Sequence, residues 1–394
     1  MATTSRLGCT ALVMRAAIQV DRPRGGALKR ILVAGDHFMR PELIEDALRA
    51  LVTEPVEFST LLLPWPHEPF RSIGEVNEAS GSEDDLIAAL EGIEICVTQM
   101  APFTERVLGA SRSLRFVAVA RGGPVNVNVP AATRLGIAIA SAPGRNAQAV
   151  AEYTIALMLA TMRRIPAVHA DLQQGVWRGG DYAYERAGTE LAGTTVGLIG
   201  FGAVGSAVAH LLAAFGSQIL VFDPYVDRSC FTHASAVAVG LAELLERSRV
   251  VSLHARLSEE TQHIIGAAQL ATMARGSYLI NTARGALVDT DALCAALESG
   301  HLAGAALDVF DPEPPPPGSP ILRAPNLVLS PHLSGASKQT AERAAAIVAH
   351  DVARYLAGAQ PYNLVNPEVF AGPAAAAPRR APDRNRPAHG CNGR

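Results

Sequence analysis

Short apolar runs and amphipathic stretches alternate along most of the chain. The first run, "RILVAGD" at 30–36, reads as a strand and a turn. "PELIEDALRALV" repeats its apolar residues at helical spacing, while "DDLIAALEGIEICVTQ", "TERVLGASRSLRFVAVA" and "PAATRLGIAIASAP" each read helix, then strand. Alternation of this kind gives parallel strands joined by right-handed crossovers. Residues 29–142 are therefore expected to form one α/β unit. A long helical stretch follows at 146–165, with Glu152 and the Arg163/Arg164 pair near its ends in the order the helix dipole favours. A second series starts at "TTVGLIGFGAVG", with strands expected at 194–200, 218–222, 249–253, 277–281, 303–307 and 326–330. Six strands with helices between them match a complete doubly wound nucleotide-binding sheet. "ASKQTAERAAAIVAHDVARYLAG" then reads as another long helix. The expected fold class is α/β, with two doubly wound parallel-sheet domains.

Composition narrows the function classes. The 394 residues are 49% apolar, enough for two well-filled cores, and the formal net charge is −3. No global basic field exists to attract nucleic acid or an anionic membrane, and no apolar run reaches the ~18 residues of a membrane span. The five cysteines (Cys9, Cys96, Cys230, Cys294, Cys391) are scattered, with no Cys-x-x-Cys and no Cys/His cluster. That pattern implies no disulfide framework and no metal site, and it fits a reducing, cytoplasmic setting. Arg15 interrupts the only apolar stretch of the first 28 residues, which spoils a secretory signal, whereas the single acidic residue there, Asp21, leaves a transit peptide open. Residues 1–28 are expected to be a disordered extension. The Ala/Pro/Arg-rich end of the chain is expected to make 367–394 a disordered tail.

The second series opens on chemistry. "VGLIGFGAVGSAVAHLLAAFG" places Gly200, Gly202 and Gly205 in G-x-G-x-x-G spacing between an apolar strand and a small-residue helix. The spacing alone is weak, but this context makes it a dinucleotide fingerprint. Gly200 permits the tight turn, Gly202 lets the backbone approach a pyrophosphate, and Gly205 lets helix and strand pack closely. The N–H groups of Ala203 and Val204 at the helix start would bind the anion. The next strand, "QILVFDP", ends in Asp223, eighteen residues beyond Gly205. A carboxylate there bonds ribose hydroxyls and repels the extra phosphate of NADP, so the cofactor expected is NAD.

Three later strands end in polar residues: Arg284 in "GSYLINTARGALVD", Asp308 and Glu313 in "GAALDVFDPEPPPP", and His332 in "NLVLSPHLSGAS". Taken singly, each reads as an ordinary surface or loop residue. Together they bring a guanidinium, a carboxylate and an imidazole to one edge of one sheet, where the nicotinamide of a dinucleotide would lie.

These motifs, with "PGRNAQAVAEYTIALMLA" before the glycine loop and "NLVNPEV" near the end, resemble those of the D-isomer-specific 2-hydroxyacid dehydrogenase family over about residues 30–366. The resemblance implies a Rossmann cofactor domain (143–337) inserted in a flavodoxin-like substrate domain (29–142 and 338–366). It implies hydride transfer between NAD and C2 of a small 2-keto or 2-hydroxy acid, in a homodimer. Arg284 would hold the substrate carboxylate, His332 would be the general acid/base, and Glu313 would raise the pKa of His332. Asp308, Thr282, Ala283 and Gly335 would contact the nicotinamide side of the cofactor, and Ala255 and Arg256 the adenine side.

Departures fall on the substrate side. Where the family has R-A-G-x-G-x-D-N-V-D, this chain has "RGGPVNVNVP" at 121–130, which keeps Gly122 and Gly123 as candidate substrate contacts. The neighbouring loop "TQMAPFT" offers Gln99 and Met100 in place of an Arg-Ser-x-Thr-like pattern. Arg256 stands where proline is common, which leaves phosphate binding, and so NADP, open. Two other readings remain at this point: a short-type D-3-phosphoglycerate dehydrogenase, and an NAD(H)-sensing protein resembling the corepressors that share the fold.

Overall fold

The structure is a computed structural model and describes residues 28–226 and 236–370. Seven strands form the first half: β1 (Lys29–Gly35), β2 (Val56–Leu62), β3 (Arg71–Ile73), β4 (Val76–Ala79), β5 (Ile95–Thr98), β6 (Phe116–Val119) and β7 (Ala138–Ser141). Five of them make a parallel sheet in the order β2-β1-β5-β6-β7, the flavodoxin-like arrangement, while β3 and β4 pair as a separate antiparallel hairpin. The second half supplies β8 (Thr195–Ile199), β9 (Gln218–Phe222), β10 (Ala236–Ala238), β11 (Val250–Leu253), β12 (Tyr278–Asn281), β13 (Gly304–Leu307) and β14 (Leu327–Leu329). They form one parallel sheet ordered β10-β9-β8-β11-β12-β13-β14. Both sheets are doubly wound, as expected.

Sheets of this kind need apolar residues on both faces, because helices cover both. In β1, Ile31 and Val33 face one core with Ile95, Val97 and Phe116, while Leu32 and Ala34 face the other with Cys96, Val117 and Phe103. The first of these cores is closed by Ala344, Ala345, Val348 and Val352 of the helix Lys338–Leu356, almost the last element of the chain. The chain thus leaves the first sheet after β7, builds the second, and returns. The return is pinned by buried Asn366, whose Oδ1 accepts from Ile139 N (2.8 Å) and whose Nδ2 donates to Thr133 Oγ1 and Ile137 O (both 2.9 Å).

Four details differ from the sequence expectation. Strand β2 was not expected; it is an edge strand with partly exposed residues throughout, so its apolar signal is diluted. The β3–β4 hairpin was also missed, as was β10, whose three residues are Ala-Val-Ala. The helix expected over 146–165 stops at Met162, and Arg164 turns left-handed (φ +55°) before a second helix, Ile165–Gln173. Pro166 explains the break, since its ring would collide with the Met162 carbonyl in a continuous helix. At the chain ends, the disorder expected for 1–28 and 367–394 lies outside the described residues, except that Pro367–Val369 form a 3-10 turn and Phe370 meets Tyr355 edge-on.

Asn366→Ala should leave the Ile139 N–H and the Ile137 carbonyl unpaired in a buried place. One unsatisfied buried group costs about 1–3 kcal/mol, so a loss of this size or more is expected in urea unfolding. An unchanged midpoint would remove Asn366 from the closure.

Candidate active site

The carboxyl ends of β8, β11, β12, β13 and β14 point at one crevice. The strand order reverses between β8 and β11, the switch point at which such sheets bind ligands. Gly200 follows β8 at φ +97°, and a Cβ there would lie 2.6 Å from Ala255 N, which follows β11. Gly205 packs as tightly, since its Cβ would lie 2.3 Å from Gly200 O. Gly202 differs: a Cβ would meet nothing within 4 Å. Gly202 and Ala203 are exposed at the start of the helix Ala203–Ala214, whose first N–H groups have no intrahelical acceptor. This is an open, N–H-lined cradle that fits a pyrophosphate. Asp223 Oδ2 accepts from Phe201 N (2.8 Å) and its Oδ1 from Tyr225 N (2.9 Å), so the carboxylate is anchored beside the cradle. Arg256 is exposed and forms no ion pair among the described residues.

The polar edge is built by three neighbouring strands. After β12, buried Asn281 shapes the Arg284 turn: Nδ2 donates to Arg284 O (2.8 Å) and Oδ1 accepts from Ala283 N (3.0 Å). Thr282 bonds Thr154 of the crossing helix (2.9 Å). The Arg284 guanidinium is exposed and touches only the Ala283 carbonyl (2.7 Å), which leaves its other donors for a ligand. After β14, His332 sits at φ +56°, a backbone conformation that costs a non-glycine residue energy and so marks a constrained place. Its Nδ1 is 2.5 Å from Glu313 Oε1, and Nε2 has no partner among the described residues. Burial disfavours the charged ring, but the hydrogen bond and charge of Glu313 outweigh it, and the His332 pKa lies above the ordinary histidine value.

Asp308 is fully buried, and its carboxylate accepts from Ser330 Oγ (2.6 Å), Leu333 N (2.8 Å) and Ser334 N (2.9 Å). It holds the His332 loop from behind, with Oδ2 accepting one of the three bonds. Since Ser330 gives its proton to Asp308, the Tyr153 hydroxyl must donate to Ser330 Oγ (2.7 Å). Gly335 lies against Asn146 at the domain crossing.

The candidate substrate contacts fare unevenly. Gln99 and Met100 are 2% and 3% exposed, so neither lines the crevice; both are covered by their own domain. Gly122 and Gly123 are exposed but do not line the cleft of about 430 Å³ beside His332. The wall opposite Arg284 and His332 is the β3–β4 hairpin, with Phe70, Arg71, Ser72, Asn77 and Glu78. Phe70 meets the His332 ring edge-on at 6.4 Å. The sequence reading missed this wall, although Gly74 (φ +56°) between short polar-apolar runs was a usable hairpin signal. Arg121 is paired with Glu78, and Arg145, which does not line the cleft, is half-buried within reach of the Arg121 and Asp36 charges, its pKa lowered by desolvation to about 10.

A doubly wound cofactor sheet with an Arg, a Glu–His pair and an adjoining cleft defines a nicotinamide-dependent dehydrogenase. The sequence model of the D-isomer specific 2-hydroxyacid dehydrogenase NAD binding domain matches residues 155–334. The chain is 38% identical to a glyoxylate reductase of Korarchaeum cryptofilum over 295 residues, 74% of this chain and 89% of that protein. It is 35% identical to a D-3-phosphoglycerate dehydrogenase of Methanocaldococcus jannaschii, covering 81% of this chain and 59% of that one. A solved glyoxylate reductase from Paecilomyes thermophila superposes with TM-score 0.69 at 27% identity, over 86% of this chain and 99% of that chain. The chain belongs to the D-isomer specific 2-hydroxyacid dehydrogenase family, and it is an NAD-dependent 2-hydroxyacid oxidoreductase.

The Glu313–His332 pair makes a direct prediction. In an NMR titration, the His332 ring should ionise above the ordinary histidine pH in the wild type. In Glu313→Gln its midpoint should move lower, because burial then acts without the carboxylate that opposes it. Identical midpoints would rule out Glu313 as the cause.

Proposed function

We propose that this chain interconverts small, uncharged-tail 2-keto acids and their D-2-hydroxy acids, with Arg284, Glu313 and His332 as its catalytic residues. The observation that carries this is the free Nε2 of His332 facing the same cleft as the exposed Arg284. In reduction, Arg284 binds the substrate carboxylate and polarises the keto oxygen; its planar fork suits both tasks. His332, kept protonated by Glu313, gives its proton to that oxygen, and in the reverse direction takes it back. NAD(H), when bound, supplies or accepts the hydride at C2. Gly200, Gly202, Ala203, Val204 and Gly205 would hold its pyrophosphate, and Asp223 its ribose hydroxyls. Residues 29–142 with 338–366 form the substrate unit in this reading, and 143–337 the cofactor unit. The glyoxylate reductase relatives support a small substrate. In the phosphoglycerate reading neither Arg121, which is paired with Glu78, nor Arg145, which does not line the cleft, would meet the phosphate, and exposed Arg71 of the hairpin wall would be the cation to do so.

The same proposal includes a homodimer and a cytoplasmic, reducing setting. Segment 165–184 exposes Leu172, Val176, Trp177, Tyr182 and Tyr184, an apolar surface that a partner copy would cover: Trp177 is 82% and Tyr182 95% exposed. Cys96 and Cys294 are free thiols. No helix among the described residues is long and apolar enough to cross a membrane.

His332→Ala should lower kcat about 100- to 10,000-fold while NADH affinity, read by fluorescence titration, changes little. Retention of more than about a tenth of kcat would refute the assignment. NADH should exceed NADPH in kcat/KM, and Asp223→Ala should narrow the gap by removing the repulsion of the extra phosphate. A wild type that already prefers NADPH would defeat the argument and point to Arg256.

A further inference from the structure

Glu78 is a carboxylate that the reaction outlined above does not use, and it lines the same cleft as Arg284 and His332. It sits at the end of β4 in a left-handed conformation (φ +48°) and is locked from behind by Arg121. Arg121 Nη2 pairs with Glu78 Oε2, and Nη1 donates to the Glu78 carbonyl (3.0 Å). The other oxygen, Oε1, has no partner among the described residues. Burial of the carboxyl is outweighed by the positive charges of Arg121, Arg284 and His332, so Glu78 stays ionised well below neutral pH. The adjoining wall is polar too, with Ser72 Oγ donating to Asn77 Oδ1 (2.8 Å).

A 2-keto acid held by Arg284 and His332 has two of its groups engaged, the carboxylate and the keto oxygen. What remains begins at C3, and the hairpin wall is what it meets. An ionised carboxylate with one free oxygen accepts strongly from a hydroxyl and repels an anion. Arg121 matters here because it holds the carboxylate through Oε2 and the backbone carbonyl, which leaves Oε1 as the open acceptor. We propose that Glu78 sets substrate choice at C3: it favours 2-keto acids with a C3 hydroxyl and disfavours those with a second anionic group. This inference rests on the 2-keto acid reading above and deepens it.

The test measures kcat/KM with NADH for pyruvate, hydroxypyruvate and oxaloacetate, in the wild type, Glu78→Ala and Glu78→Gln. The informative numbers are ratios between substrates on one preparation, so partial misfolding of a variant cancels. A charge-assisted hydrogen bond predicts a hydroxypyruvate-to-pyruvate ratio of about ten or more in the wild type. In Glu78→Ala that ratio should fall at least several-fold, mainly through the KM of hydroxypyruvate. In both variants the oxaloacetate-to-pyruvate ratio should rise. A wild type without the hydroxyl preference, or ratios that stay within twofold in both variants, would overturn the role of Glu78. If the wild type turns over none of the three acids nor glyoxylate, the 2-keto acid reading itself fails, and this inference with it.

Discussion

The buried carboxylate of Asp308 is the interaction on which the polar edge of the crevice depends. A charge removed from water is tolerable only when its lone pairs are used, and here three donors use them. Two of the three are backbone N–H groups of Leu333 and Ser334, so the carboxylate fixes the main chain just beyond His332. The Asp308 carbonyl accepts from His332 N (2.8 Å), which fixes the chain at His332 as well. A loop bound at both points can keep His332 in a left-handed conformation that an unsupported histidine would leave. The imidazole is then held between Glu313 on one side and the open cleft on the other.

The same logic extends outward through the crossing helix Ala147–Met162. Two adjacent residues of that helix reach two different strand ends: Tyr153 bonds Ser330, and Thr154 bonds Thr282. The loops carrying Arg284 and His332 are thereby referenced to one rigid element that also joins the two sheets. The arrangement needs hydroxyl groups, because Thr154 and Ser330 each bridge two polar partners, and a hydroxyl can donate to one while accepting from the other. Catalytic geometry in this fold is thus inherited from the domain crossing as much as from the cofactor sheet.

The elements best legible in the sequence were those with a strong period. Buried parallel strands read as apolar runs, and all six expected in the second sheet begin and end within one residue of their observed bounds; the glycine loop, Arg284, Glu313 and His332 stood out because strand ends have a known destination. The substrate wall was not legible. Strands β3 and β4 are only three and four residues long, too short for a periodic signal to rise above the surrounding loop. The loop of Gln99 and Met100 stands where the family has an Arg-Ser-x-Thr-like pattern, which makes them candidates, and their burial is a matter of packing that the motif does not encode. For Asp308 the strand end was legible but not the bonds to Ser330, Leu333 and Ser334, which depend on how the next strand's loop folds back over it.

The altered loop at 121–130 and the hairpin explain each other. Arg121 heads that loop, and its guanidinium crosses to the hairpin to close on Glu78, with Met100 Sδ beneath it (3.4 Å). Asn77 N donates to Val125 O (3.0 Å), so the loop backbone also supports the strand that carries Glu78. An acid in the cleft would be costly beside a site meant to bind an anion; an arginine supplied from behind makes it tolerable without placing another free cation in the cleft. Arg145 continues the pattern one layer deeper, where Asp36 offsets its charge. Arg71 is different: it lines the hairpin wall, is exposed and forms no ion pair among the described residues, as is true of Arg284 on the facing side. The cleft therefore presents an unpaired guanidinium from each wall, and the hairpin wall sets that cation beside the Glu78 carboxylate, so an acid held at the cofactor side meets both charges with whatever it carries at C3.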